Sequence, residues 1–266
     1  FTANEDIWWD ADALTAGVYD KRYPLVVPAV MSPYIPFDYQ WFTANRKPGN
    51  TVCDGGWSDY LYLSRDDTYQ KDVDHLVTTH YYPEDLEVEG AAEASGQAEL
   101  AGTMPPPGTY HLLIRSDGAK ERLEKNDEEY GVDNNTYDAG TTEVTCIDLE
   151  PFNLVAPAQI SGEGNELMWS VRNNGNAALP ASRSVRQDVY LSTAVTFSPG
   201  SSERWGSSYY NEGCDVGGTF TQTVTLGTPP VSEAGFYYLY IKTDANNAVQ
   251  EYNRETGVSA EGNNVY

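Results

Sequence analysis

One displacement of about 128 residues runs through this sequence, the offset that sets Trp169 after Trp41. The aromatic-led run Trp41-Phe42-Thr43-Ala44-Asn45-Arg46 enters a turn at Pro48-Gly49. Its counterpart, Trp169-Ser170-Val171-Arg172-Asn173, enters a turn at Asn174-Gly175. Leu61-Tyr62-Leu63-Ser64 returns as Val189-Tyr190-Leu191-Ser192, again 128 positions on. Gly108-Thr109-Tyr110-His111-Leu112-Leu113-Ile114-Arg115 returns as Gly235-Phe236-Tyr237-Tyr238-Leu239-Tyr240-Ile241-Lys242, 127 positions on. Asn134-Asn135-Thr136-Tyr137 returns as Asn263-Asn264-Val265-Tyr266, 129 positions on. Four ordered landmarks at one offset mark a duplicated structural unit, and each copy must then carry its own core.

Inside each copy the apolar period is two. Tyr237, Leu239 and Ile241 fall on one face, with Phe236, Tyr238, Tyr240 and Lys242 on the other. In the first copy Tyr110, Leu112 and Ile114 form the inward set, and His111, Leu113 and Arg115 the outward one. Aromatic and β-branched residues suit a half-buried pleated surface. Pro48-Gly49, Gly55-Gly56, Pro107-Gly108, Asn174-Gly175 and Gly217-Gly218 punctuate the strands. Helical periodicity is confined to one short candidate, Lys120 to Glu129. These patterns predict an all-β protein of two tandem immunoglobulin-like β-sandwich domains with an N-terminal extension. The expected bounds are an extension over 1–22, sandwich 1 over 23–137, a linker over 138–145 and sandwich 2 over 146–266.

After the alternating strand the second copy reads Thr243-Asp244-Ala245-Asn246-Asn247-Ala248-Val249-Gln250-Glu251, and Asn263-Asn264-Val265 follow later. With Asp188-Val189-Tyr190-Leu191-Ser192 and the strand at Trp169, this run resembles CARDB, the cell-adhesion-related domain of bacteria. The second copy matches along its length, and the first at its landmarks. The first has Gly118-Ala119-Lys120 where the second has Ala245-Asn246-Asn247, and a less typical middle segment from His80 to Met104. The resemblance implies a secreted or cell-surface location and a scaffold or adhesion role, with no catalytic residues.

Charge narrows the partners. Against 16 Lys and Arg stand 40 Asp and Glu, a net charge of −24, which repels nucleic acid and anionic membranes. No apolar run reaches the roughly 18 residues of a membrane-spanning helix. The three cysteines, Cys53, Cys146 and Cys214, include no C-x-x-C pair, and one disulfide or three thiols remain open. No metal-protease, nucleophile-elbow or phosphate-loop motif occurs, so an enzyme is not expected.

Candidate sites are few. Asp66, Asp67, Asp72 and Asp74 cluster on one loop and offer the hard oxygens calcium needs, although solvated loop charge explains them more simply. Asp244, Glu251 and Asn263, paralleled by Asp117, Glu124 and Asn134, form a second cation candidate beside a turn-forming reading. Trp8, Trp9 and Tyr19, in the extension without a repeat partner, are interface candidates. Tyr209, Tyr210, Tyr238 and Tyr240 could form an aromatic platform for ligand binding, against ordinary packing. The expected function is an extracellular structural or adhesive scaffold of a bacterial surface or filament. Its partners would be other copies of itself, joined head to tail through the N-terminal segment, or neighbouring repeats. The alternative is a carbohydrate-binding module pair on cell-surface polysaccharide.

Overall fold

The computed structural model describes residues 6–7, 26–46, 56–87, 90–101, 104–116 and 136–266. Segment 1–5, Trp8, Trp9, Tyr19, Cys53, the candidate helix 120–129 and the set Asp117, Glu124 and Asn134 lie outside the described residues. The chain divides into two compact units. One gathers Phe1–Met31, Ile35–Leu100 and Thr109–Val144, and the other gathers Ser32–Tyr34, Ala101–Gly108 and Thr145–Tyr266. The division at Val144 meets the end of the expected linker, but 138–144 is strand and not linker. Two short pieces expected in the first sandwich, 32–34 and 101–108, belong with the second unit.

The first unit is built from β1 (Asp6–Ile7), β2 (Val30–Met31), β3 (Phe37–Arg46), β4 (Trp57–Ser64), β5 (His75–Tyr82), β6 (Ala91–Ala98), β7 (Gly108–Arg115) and β8 (Thr136–Val144). One sheet runs β1-β3-β6 and the other β2-β8-β7-β4-β5. Trp41, Trp57, Leu61, Leu112 and Ile114 are fully buried between them. Leu113, expected outward, is buried too. It pairs with Tyr62, whose ring leans on Tyr69 at 4.9 Å, and Arg115 lies over the Tyr69 ring at 4.2 Å. An aromatic and guanidinium cover thus shields the outer face where alternation alone puts solvent.

The second unit is built from β9 (Leu149–Val155), β10 (Asn165–Asn173), β11 (Val185–Ser192), β12 (Glu203–Tyr210), β13 (Thr219–Leu226) and β14 (Tyr238–Lys242). Its sheets run β13-β10-β9 and β12-β11-β14. Alternation is strict along β10, where Leu167, Trp169 and Val171 turn inward; along β11 Val185, Val189 and Leu191 turn inward, but Asp188 and Ser192 on the other face are buried as well. The protein is an all-β sandwich fold.

The repeat is legible strand by strand. Leu61 pairs with Ile114 and Leu63 with Leu112; Val189 pairs with Ile241 and Leu191 with Leu239. A bulge interrupts β4 against β5 between Leu61 and Tyr62, and β11 against β12 between Val189 and Tyr190. The residues skipped, Val77 and Trp205, are themselves 128 positions apart. Bulges re-aim a strand at a defined point, so a shared bulge is a finer mark of duplication than shared composition.

Candidate functional site

The strongest concentration of unusual chemistry lies where β14 hands over to the loop that follows it. Asp244 takes a left-handed backbone (φ 45°) just past the strand, and its carboxylate turns back over the loop. It accepts hydrogen bonds from the amides of Ala248 at 2.9 Å and Val249 at 3.0 Å, an Asx-type closure that folds the loop tightly. The closure delivers Glu251 into the interior, where one carboxylate oxygen accepts the Leu149 amide at the start of β9. The other accepts the Asn264 side-chain amide at 3.0 Å.

Glu261 comes from a single 3-10 turn, Glu261–Asn263, and completes the group. It accepts the Glu251 backbone amide at 3.1 Å and the Asn264 side-chain amide at 3.2 Å. One oxygen from each of Asp244, Glu251 and Glu261 lies within 4.8 Å of the others. Asp244 and Glu251 are fully buried and Glu261 is half-buried. Burial pushes all three carboxyls up from their ordinary values, Glu251 most. Backbone amides oppose the rise at each, and like charge from the neighbouring carboxylates adds to it at Glu251. Beside them Asn263 donates to buried Asp148 at 2.8 Å, and burial also raises the Asp148 carboxyl. The side-chain oxygens of Asn263 and Asn264 are buried and accept no hydrogen bond. A pocket of 470 Å³, lined by Tyr34, Arg183, Lys242 and Glu261 among others, lies beside the cluster.

Asp244, Glu251 and Asn263 are legible as a group from the repeat. Asn264 is a landmark of the same repeat, opposite Asn135, but Glu261 is not. At the offset of 129 that aligns the Asn pairs, Glu261 faces Val132, so comparison of the copies passes over it.

The other sites expected from the residue pattern fare differently. Asp66, Asp67 and Asp74 serve the β4–β5 loop itself. Asp66 accepts the Thr68 amide at 2.9 Å and the Gln70 side-chain amide at 2.9 Å, Asp67 the Thr68 hydroxyl at 3.2 Å, and Asp74 the Gln70 amide at 2.6 Å. Asp72 sits at φ 65° on the exposed turn. Among the described residues no three of these four carboxylates converge as the Asp244 group does.

The four tyrosines do not form one platform. Tyr209 faces Arg186 and Tyr210 faces Val185 at one end of β11, whereas Tyr240 faces Tyr190 and Tyr238 faces Ser192 toward the other. Tyr210 turns inward, stacks on Phe220 at 3.6 Å and donates its hydroxyl to the Gly213 carbonyl at 2.6 Å, so it belongs to packing. Tyr238 and Tyr240 remain on the outer face, with Phe197 5.3 Å from the Tyr240 ring.

A second feature is the edge of β14. In the first unit β7 is flanked by nine-residue β8. In the second, Ile241 exchanges both backbone hydrogen bonds with Tyr266 at 3.0 Å, and Lys242 bridges to Val265. On that same edge Leu239 has no strand beside it among the described residues. Next to it runs a groove of 580 Å³ lined by Ile160, Leu191, Val231, Phe236, Tyr237 and Leu239 among others, Ile160 coming from the segment that follows β9. Phe236 is entirely solvent-exposed.

No family model matches the chain, and no curated protein matches it either. Three solved structures show faint likeness. A red sea bream transglutaminase has a TM-score of 0.26 at 8% identity, with 93% of this chain and 31% of that one covered. The class 5 fimbriae chaperone CfaA scores 0.23 at 12% identity, covering 83% and 90%. A Bacteroides uniformis beta-glucuronidase scores 0.24 at 11% identity, covering 85% and 25%. The chain spans less than a third of the transglutaminase and of the glucuronidase. Likenesses this faint identify neither family nor activity.

Proposed function

We propose that the chain is a structural or adhesive module of an extracellular bacterial assembly, and that its second unit takes a β-strand from a neighbouring copy along β14. The reading rests on the exposed Phe236 and on the groove beside β14, whose lining includes Ile160, Leu191, Val231 and Leu239. A strand edge beside a groove suits strand addition, in which backbone hydrogen bonds supply affinity and alternate side chains fill the groove. The occupant proposed is segment 1–22 of another copy, which has no counterpart in the repeat and carries Trp8, Trp9 and Tyr19; its Asp6–Ile7, paired with β3 as β1, would leave that sheet on transfer. A contact of that kind is head to tail and propagates as a filament. The CARDB-like run at Tyr237–Glu251 supports the surface role.

Size-exclusion chromatography and negative-stain microscopy test this. The full chain should form assemblies, a chain lacking 1–22 should remain monomeric, and a synthetic 1–22 peptide should bind the truncated chain. Assembly that survives the truncation unchanged removes the reading.

A further inference from the structure

We propose that the outer face of the sheet β12-β11-β14 in the second unit binds an acidic polysaccharide, a polymer of uronate sugars. Register assembles this face. Arg186 lies opposite Tyr209, Asp188 between Ser207 and Lys242, and Tyr190 between Arg204 and Tyr240. Tyr238 follows, opposite Ser192. The residues between them on β11, Gln187, Val189 and Leu191, turn to the core. Alternation thus leaves cations and aromatic rings together on the solvent side. Tyr209 is 60% exposed and Tyr238 49%. The rings run on from one another, Tyr190 to Phe197 at 5.1 Å, Phe197 to Tyr240 at 5.3 Å and Tyr240 to Tyr238 at 6.5 Å. The Tyr240 hydroxyl donates to the Ala194 carbonyl at 2.9 Å, which fixes its ring in place.

Charge gives the ligand its sign. The second unit has Lys or Arg only at Arg172, Arg183, Arg186, Arg204, Lys242 and Arg254, and Arg186, Arg204 and Lys242 all stand on this face. The register puts one acid among them, Asp188, whose carboxylate is 1% exposed and lies 3.1 Å from Arg186 and 3.9 Å from Arg204. Solvent therefore meets cations here, in a chain whose net charge is −24. At physiological salt charges are screened beyond about 8 Å, so a polymer lying on the face senses these cations more than the acids elsewhere. Lys242 is shared with Asp244 and Glu261 past the strand end, which leaves Arg204, 54% exposed, as the cation freest to reach a ligand.

The rings decide for sugar. The apolar face of a sugar stacks on an aromatic ring, and its carboxylate pairs with a guanidinium. An open sheet face suits an extended polymer that touches several residues at once. The first unit repeats the set. Tyr62, Tyr69 and Tyr81 precede Tyr190, Phe197 and Tyr209 by 128 positions, and Arg115 precedes Lys242 by 127. The solvent side of a sheet has no packing need for aromatic residues, so their presence in both copies marks a contact surface. In the first unit Arg115 lies over the Tyr69 ring at 4.2 Å, which assigns binding to the second. The inference is separate from strand addition, since Tyr237 and Leu239 line the groove whereas Tyr238 and Tyr240 take the other face of β14.

The full chain is incubated in about 0.15 M salt with beads carrying polygalacturonate, dextran or polyglutamate, and bound protein is measured against concentration. Beads retain single chains and assemblies alike, so the failure of strand addition leaves this readout intact. The expected result is saturable retention on polygalacturonate, about tenfold or more tighter than on dextran or polyglutamate. Arg204→Gln and Tyr238→Ala change exposed side chains and should fold. Each should weaken retention by about threefold or more. Arg172→Gln, which removes a cation from the other sheet, should leave retention unchanged. Retention on polygalacturonate no tighter than on dextran overturns the proposal. Equal retention on polyglutamate also overturns it and gives the face to an acidic polypeptide. So does unchanged retention by either Arg204→Gln or Tyr238→Ala, or a loss in Arg172→Gln equal to theirs.

Discussion

Asp59 and Gln187 stand 128 positions apart and hold the same place in their units, each a fully buried polar side chain on an interior strand, β4 or β11. They are satisfied differently. One Asp59 oxygen accepts from the Trp41 indole at 3.0 Å, the Tyr82 hydroxyl at 3.0 Å and the Thr43 hydroxyl. Gln187 accepts the Thr243 hydroxyl at 2.8 Å, while the Trp169 indole has no acceptor. Duplication kept the position and let its network diverge.

Asp59→Ala should therefore be severe. It removes the acceptor for three buried donors, and a loss of about 3 kcal/mol or more is expected. Urea unfolding of the purified variant measures it. A change below about 1 kcal/mol would show the network to be dispensable.

Tyr82 sets an alkaline limit. Burial first, and the Asp59 charge second, push its hydroxyl up from the ordinary tyrosine value. The folded pKa is raised, so the contribution is complete below about pH 10 and is lost as pH rises from there toward the folded value. Tyr82→Phe should lose stability at neutral pH with its hydrogen bond. Above about pH 10 its stability should fall less steeply than that of the unmodified chain, by up to about 1.4 kcal/mol per pH unit. Denaturant midpoints measured from pH 8 to 11 decide it, and parallel curves would contradict the assignment.

Cys146 and Cys214 are free thiols, 1% and 7% exposed, and burial pushes both up from the ordinary thiol value. The thiolate is the reactive form, so neither should label in the native protein at neutral pH. Peptide mapping after alkylation should find both modified only once the second unit unfolds. Rapid native labelling at Cys214 would mean that its bridge to Leu179 opens readily.

Gly175 answers a close approach. A β-carbon there would fall on the Cys146 carbonyl oxygen and 2.8 Å from Ile147 Cα, both backbone atoms that cannot swing aside. Gly175→Ala should cost about 2 kcal/mol or more. Gly262→Ala, where a β-carbon would meet nothing within 4 Å, is the control. Equal melting temperatures for the two variants would refute the steric reading.

Much of this architecture can be read from residues alone, because repetition and alternation are one-dimensional signals. Trp41 with Trp169, and Leu112 with Leu239, announce their strands. What escapes is set by neighbours distant in sequence. Leu113 is buried because Tyr62, Tyr69 and Arg115 cover a face that alternation assigns to solvent. Tyr210 turns inward because Phe220 offers it a ring. The carboxylate group is half visible. Asp244 and Glu251 share a loop whose duplicate holds Asp117 and Glu124, but Glu261 reaches them from a later turn, at a position that the offset of 129 sets opposite Val132.

Glu251 receives one amide from Leu149 and another from Asn264, near opposite ends of the second unit's sequence. A ribosome delivers those groups far apart in time. Until Asn264 emerges, the fully buried Glu251 has only half these partners, so the unit should complete its folding late and as a whole. The first unit, already synthesised, is free to settle before it. Arrested nascent chains ending before Asn263 should thus contain a protease-resistant first unit and a protease-sensitive second one.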